Sequence, residues 1–212
     1  MLILYCIYDQ NRISSRREEI WLSELSTGKA EQIKRLKISH KRHLSLLGLQ
    51  LLKHGAKMLG MQAFALSGVQ FPAGGKPVCP WFDFSISHSE NIAVCAISPN
   101  QVVGIDIEHI RAINSAIFKR HLTAEERTQS QANPARFFTY WTQKEAIVKA
   151  ADCGGIVAIP EVVLSRDHGT LRGRIWYTQQ VELQENYVVC LALEQQVKSV
   201  QCTQIDIDTL TE

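Results

Sequence analysis

The chain has 212 residues, 45% of them hydrophobic, with 23 Lys and Arg against 21 Asp and Glu and a formal charge of +2. That apolar content excludes a disordered chain and supplies one generous core or two small ones, and the near balance of charge excludes the one-sided basic excess of a nucleic-acid binder. Cys6, Cys79, Cys95, Cys153, Cys190 and Cys202 include no Cys-x-x-Cys pair, so no zinc site is suggested and the thiols are read as reduced, in a cytoplasmic setting. Met1 to Tyr8 lacks a basic leader and no stretch has the length to span a bilayer, so neither a signal peptide nor a membrane segment is expected.

In chain order, Leu2 to Tyr8 is apolar and aromatic and predicts a buried strand, followed by a turn over Asp9 to Arg12. Helical spacing dominates Arg16 to Leu59, with Leu44, Leu47, Leu51 and Leu52 on one stripe and Lys41, Arg42, Lys53 and Lys57 largely off it. Phe71 to Pro80 contains Pro72, Gly74, Gly75, Pro77 and Pro80 and predicts a rigid loop of the kind that serves a site. Asp83 to Ser89, Ile92 to Ser98 and Val102 to Ile107 predict three short strands, compatible with an antiparallel meander. Asn114 to Gln131 and Pro134 to Ala151 predict helices, the second capped by Asn133, begun by Pro134 and stopped by Gly154 and Gly155. Alternation then predicts strands over Val162 to Ser165, Arg174 to Tyr177, Tyr187 to Leu193 and Val200 to Ile207, separated by Asp-His-Gly and Gln-Glu-Asn turns. No repeat or free linker interrupts this order.

Asp106 and Glu108 stand two apart on an apolar strand, so pleating points both carboxylates to one face. Two crowded anions call for a proton or a cation, and hard oxygen donors suit Mg²⁺; a solvated strand end is the plainer alternative. Glu145 and Lys149 share a helical face at i and i+4, which a surface salt bridge would also explain. Phe138, Tyr140, Trp141, Ile147 and Val148, however, make that helix apolar around most of its circumference, and a charged pair there needs partners. With Glu145 facing Asp106 and Glu108, three carboxylates would complete a Mg²⁺ site and leave Lys149 to neutralise a phosphate. Ser85, Ser87, His88 and Ser89 supply donors for phosphate oxygens at a strand end. Gly74-Gly75-Lys76-Pro77 lacks the full phosphate-loop pattern, although Lys76 can still meet phosphate electrostatically. The Lys29, Lys34, Arg35, Lys37, Lys41, Arg42 cluster reads first as a solvated helical face and second as a seat for a nucleotide phosphate.

Taken in order, Gly75-Lys76-Pro77, Phe84-Ser85-Ile86-Ser87-His88-Ser89, Val103-Gly104-Ile105-Asp106-Ile107-Glu108 and Trp141-Thr142-Gln143-Lys144-Glu145-Ala146-Ile147-Val148-Lys149 resemble the signature motifs of the 4'-phosphopantetheinyl transferases, in their longer, monomeric Sfp-type group. The resemblance implies an α+β fold of two similar α/β halves, 1–102 and 103–212, related by a pseudo-twofold axis, each a small, mostly antiparallel sheet with a long helix. It implies Mg²⁺-dependent transfer of phosphopantetheine from coenzyme A to a serine of an acyl, peptidyl or polyketide carrier protein, releasing 3',5'-adenosine bisphosphate, with Mn²⁺ as a substitute metal. By motif position, Asp106, Glu108 and Glu145 would hold the metal. Glu145 or a water would take the serine proton, and Lys149 would balance charge on the diphosphate. Ser87 and His88 would meet the coenzyme A phosphates, with Lys76 and Pro77 along the diphosphate and Lys29 and Arg42 near the 3'-phosphate. The residue before Ser45-Leu46-Leu47-Gly48, often basic in that family, is Leu44 here. Two rival classes remain: a coenzyme A- or carrier-binding module without turnover, and a magnesium phosphohydrolase.

Overall fold

The structure is a computed structural model and describes residues 1–113, 118–198 and 200–211. Its strands are β1 (Leu2–Ile7), β2 (Asp83–Ser89), β3 (Ile92–Ser98), β4 (Val103–His109), β5 (Val163–Leu164), β6 (His168–Leu171), β7 (Arg174–Gln180), β8 (Tyr187–Leu193) and β9 (Gln201–Gln204). Its α-helices are α1 (Ser15–Ser23), α2 (Thr27–Lys34), α3 (Ser39–Met58), α4 (Ala124–Ala132) and α5 (Pro134–Ala151). The chain divides into two compact units, Met1–Asn100 with Ser199–Glu212, and Gln101–Lys198. The expected α+β class is what the structure has, with one sheet and one long helix in each unit.

In the first unit the sheet order is β2-β3-β1-β9, with β9 parallel to β1 and the other pairs antiparallel. The leucine stripe of α3 is buried as its spacing predicts, Leu44, Leu47, Leu51 and Leu52 packing in one core with Leu2, Leu4 and Ile97 of the sheet. Glycine lets the helix approach closely: a Cβ at Gly55 would stand 2.3 Å from Ile97 Cδ1, and one at Gly48 2.4 Å from Ile86 Cγ2.

Two expectations need correcting here. The division at 102/103 gave the last strand to the second half, whereas β9 pairs with β1 in the first unit. Alternation identifies a strand but not its neighbour. For the same reason the meander stops at two strands: β3 has β2 and β1 on its flanks, and β4 belongs to the other sheet. The returning tail is held by Arg12, which pairs with Asp206 and Asp208, and by Arg17, 3.0 Å from Asp208. Below these ion pairs, Ile205, Ile207 and Leu210 enter the core of the first unit. Ile207 is 1% exposed, so Ile207→Ala should cost about 2–5 kcal/mol, measured as a lower urea midpoint.

In the second unit the sheet order is β4-β8-β7-β6-β5, antiparallel throughout. Asn133 caps α5 by accepting from the Ala135 amide at 2.9 Å, Pro134 opens it, and Asp152 ends it at φ 48° with Gly154 just beyond. Trp176 of β7 and Phe138 of α5 fill the space between helix and sheet. β6 lies where an Asp-His-Gly turn was expected; the true turn is Arg172-Gly173, both at positive φ, as a two-residue hairpin requires. The helix expected from Asn114 begins only at Ala124, after a Thr123–Glu126 capping box, and residues 114–117 lie outside the described ones. None of the six cysteines is in a disulfide, and among the described residues no helix is long and apolar enough to cross a membrane.

Candidate functional site

The second unit carries the acidic residues. Gly104, Asp106 and Glu108 alternate along β4 on one face, and Gly104 lies against Ala146 of α5. The same face therefore carries the carboxylates toward the helix that bears Glu145 and Lys149. Lys149 Nζ donates to Asp106 Oδ1 at 2.6 Å and to the Ile105 carbonyl at 3.3 Å. Asp106 is 5% exposed. Glu108 Oε2 accepts from Arg111 at 3.1 Å, and the Arg111 guanidinium lies 5.1 Å over the Phe138 ring. The Glu145 carboxyl is pushed above its ordinary range, first by burial and then by the charge of Asp106, with Glu108 adding to this and Lys149 opposing it. Glu145 thus feels the charges of both acids of β4.

That donor set fits a divalent cation: three carboxylates, one of them destabilised in its ionised form by the others, are hard oxygen donors whose repulsion a Mg²⁺ would relieve. Among the described residues, no three His, Cys, Asp or Glu side chains already stand in a metal-holding arrangement. Lys149 pairs with Asp106, and Arg111 with Glu108.

The first unit carries the other expected residues. The loop after Gln70 is pinned at its base by paired hydrogen bonds between Gln70 and Val78. Together with α2 it walls a cavity of about 830 Å³ lined by Lys29, Gln32, Phe71, Gly74, Gly75 and Pro77 among others. Lys29 Nζ lies 4.5 Å over the Phe71 ring and 3.0 Å from Gln32 Oε1, and burial pulls its ammonium below the ordinary 10.5. Phe71 was not singled out in the sequence; only its place at the mouth of the Gly/Pro loop marks it. Lys76 pairs with Asp83. Ser87 and His88 are successive residues of β2, Ser87 buried and His88 exposed, so they leave opposite faces of the strand.

Arg42 is engaged by Glu18 at 2.8 Å and by the Leu36 carbonyl at 2.9 Å. Glu18 also meets His43 Nε2 at 2.9 Å, whose Nδ1 lies 3.1 Å from the Tyr8 hydroxyl. Burial pushes the Glu18 carboxyl up, but the hydrogen bonds and charges of Arg42 and His43 outweigh it and hold the group below its ordinary 4.5. A carboxyl lowered on folding stabilises the native state above its unfolded value and loses that contribution as pH falls through its folded value. The urea midpoint should therefore decline as pH drops below 4.5, and Glu18→Gln should make that part of the profile shallower.

Comparison with known proteins adds a family to this geometry. The family model of the 4'-phosphopantetheinyl transferase superfamily matches residues 102–192. The chain is 36% identical to the 4'-phosphopantetheinyl transferase psf-1 of Bacillus pumilus over 120 aligned residues, 52% of this chain and 50% of that protein. It is 29% identical to the transferase Sfp of Bacillus subtilis over 156 residues, 69% and 68% of the two chains. With the transferase gsp of Aneurinibacillus migulanus it shares 41% identity over 91 residues, 40% and 38%. The match to the first of these relatives spans half of that relative's length.

Proposed function

The chain belongs to the 4'-phosphopantetheinyl transferase superfamily, in its Sfp-type group, and on that footing we propose that it transfers 4'-phosphopantetheine from coenzyme A to a serine of an acyl, peptidyl or polyketide carrier protein. The observation that carries this reading is the approach of Lys149 of α5 to Asp106 of β4 at 2.6 Å, beside a Glu145 carboxyl raised by burial and by the charges of Asp106 and Glu108. Asp106, Glu108 and Glu145 are the residues that would hold Mg²⁺, or Mn²⁺ in its place, and the ion would supply charge neutralisation at the diphosphate.

The serine hydroxyl attacks the phosphorus that carries pantetheine. The bond from that phosphorus to the bridging oxygen breaks, and its electron pair leaves with 3',5'-adenosine bisphosphate. Glu145, whose carboxyl is raised by burial and by the charge of Asp106, accepts the serine proton directly or through a water. Lys149 balances negative charge on the diphosphate. No nucleophile of the enzyme is required. Ser87 and His88 meet the coenzyme A phosphates, Lys76 and Pro77 lie along the diphosphate, and Lys29 with Arg42 serves the 3'-phosphate; for Lys29 the support is its place in the cavity of about 830 Å³. The reading brings with it a monomeric chain working in the cytoplasm.

Chromatography of the nucleotide product tests it against its rivals. Release of 3',5'-adenosine bisphosphate only when an apo carrier is present is expected. Release without a carrier would identify a hydrolase, and coenzyme A left intact with every apo carrier in a panel would identify a binding module.

A further inference from the structure

Lys144 stands immediately before Glu145 and is 1% exposed, a rare state for a lysine. Its ammonium has three partners: Glu126 Oε2 at 3.0 Å, the Val162 carbonyl at 3.1 Å and the His121 carbonyl at 3.3 Å. Glu126 is doubly used, since the same Oε2 accepts from the Thr123 amide at 2.8 Å as the reciprocal half of the capping box that starts α4. One side chain of α5 is thereby stitched to the start of α4, to the turn before it and to the lead-in of β5.

A helix advances about 100° per residue. On that scale Ala146 and Ala150, which meet Gly104 of β4, lie roughly opposite Lys144, while Glu145 and Lys149 fall on the flank between them. The helix is held from two sides, by backbone contact with β4 and by the ammonium on the far side. Its rotation, and so the direction of Glu145 and Lys149, is set between these clamps. A well-packed apolar pair would replace a buried ion pair at little cost in stability. What the ion pair adds is direction, because three acceptors fix where the ammonium sits. We infer that Lys144, with Glu126, is a positioning residue that fixes the rotation of α5 and through it the placement of the acidic site.

This rests on the transferase reading, and its test separates the two. Lys144→Met combined with Glu126→Gln removes both charges and leaves an amide that keeps the cap. The double variant is expected to melt close to wild type while kcat falls about 10- to 100-fold and KM for coenzyme A changes by less than about threefold. A folded double variant with wild-type kcat would overturn the inference. If the double variant does not fold, Glu126→Gln alone loosens the ammonium while keeping the cap. A severalfold loss of kcat at an unchanged melting temperature then supports the assignment, and wild-type kcat overturns it. If the wild-type protein transfers nothing to any carrier, the transferase reading fails by itself, and Mn²⁺ affinity measured by electron paramagnetic resonance decides the positioning claim. About tenfold weaker Mn²⁺ binding in the variant supports it, whereas equal binding, or no binding by wild type, overturns it.

Discussion

Glu145→Gln is expected to lower the rate of phosphopantetheine transfer by about 10²- to 10⁴-fold while leaving the protein as stable as wild type or slightly more so. Both halves follow from one observation. Burial and the neighbouring charges of Asp106 and Glu108 raise the Glu145 carboxyl, which means that the fold disfavours its ionised form. A group raised on folding contributes fully below its unfolded value and loses that contribution as pH climbs from there through its folded value, so a neutral amide of the same shape relieves the fold above that window. The same amide cannot take the serine proton and is a poorer donor to a hard cation. Asp106→Asn should behave differently: it also lowers transfer, but it takes the charged partner from Lys149 Nζ, 2.6 Å away, and lowers the melting temperature as well. Equal effects on stability from the two variants would contradict this division of roles. Chelation with EDTA is expected to stop transfer by wild type, and added Mg²⁺ or Mn²⁺ to restore it.

Gly104→Ala should be the most damaging single methyl in the chain's acidic site. A Cβ there would stand 2.0 Å from the Ala146 carbonyl oxygen and 2.6 Å from the Ala150 amide nitrogen. Both are backbone atoms of the C-terminal turns of α5, so no side-chain rotation relieves the clash, and this end of the helix must move away from β4. Overpacking of a rigid core costs about 1–3 kcal/mol and more where backbone must shift. Because α5 carries Glu145 and Lys149, transfer should fall along with the melting temperature. Gly28 is the control: nothing lies within 4 Å of a Cβ there, and it sits inside α2. Gly28→Ala is expected to be neutral or to stabilise by up to about 1 kcal/mol in a thermal melt.

The sequence made α5 legible because its punctuation is local. Asn133 and Pro134 act within a few residues and do in the structure what their chemistry suggests, whereas the left-handed residue that ends the helix is Asp152 rather than the glycines expected to stop it. The pairing of Asp106 with Glu108 was equally legible, since period two is a property of any strand. Sheet membership was not. Nothing local to β4 says that Cys190 and Val188 will oppose Asp106 and Glu108, and nothing local to β9 says that it will cross back to lie parallel to β1. His168 and Gly169 were read as a turn because Asp-His-Gly is turn chemistry, yet Arg172-Gly173 supplies the positive φ angles the hairpin needs. Lys144 passed without a role for a related reason. A lysine in an apolar helix reads as an outward charge until Glu126, 18 positions earlier in the sequence, is seen to reach it.

The most direct test of the central claim is intact-mass spectrometry of a panel of apo carrier proteins incubated with this chain, coenzyme A and Mg²⁺. A gain of one phosphopantetheine on the carrier serine, absent with EDTA and with Glu145→Gln, is the result predicted. Carriers that stay unmodified across the panel, or a mass gain that persists without the metal or without the Glu145 carboxylate, would contradict the account.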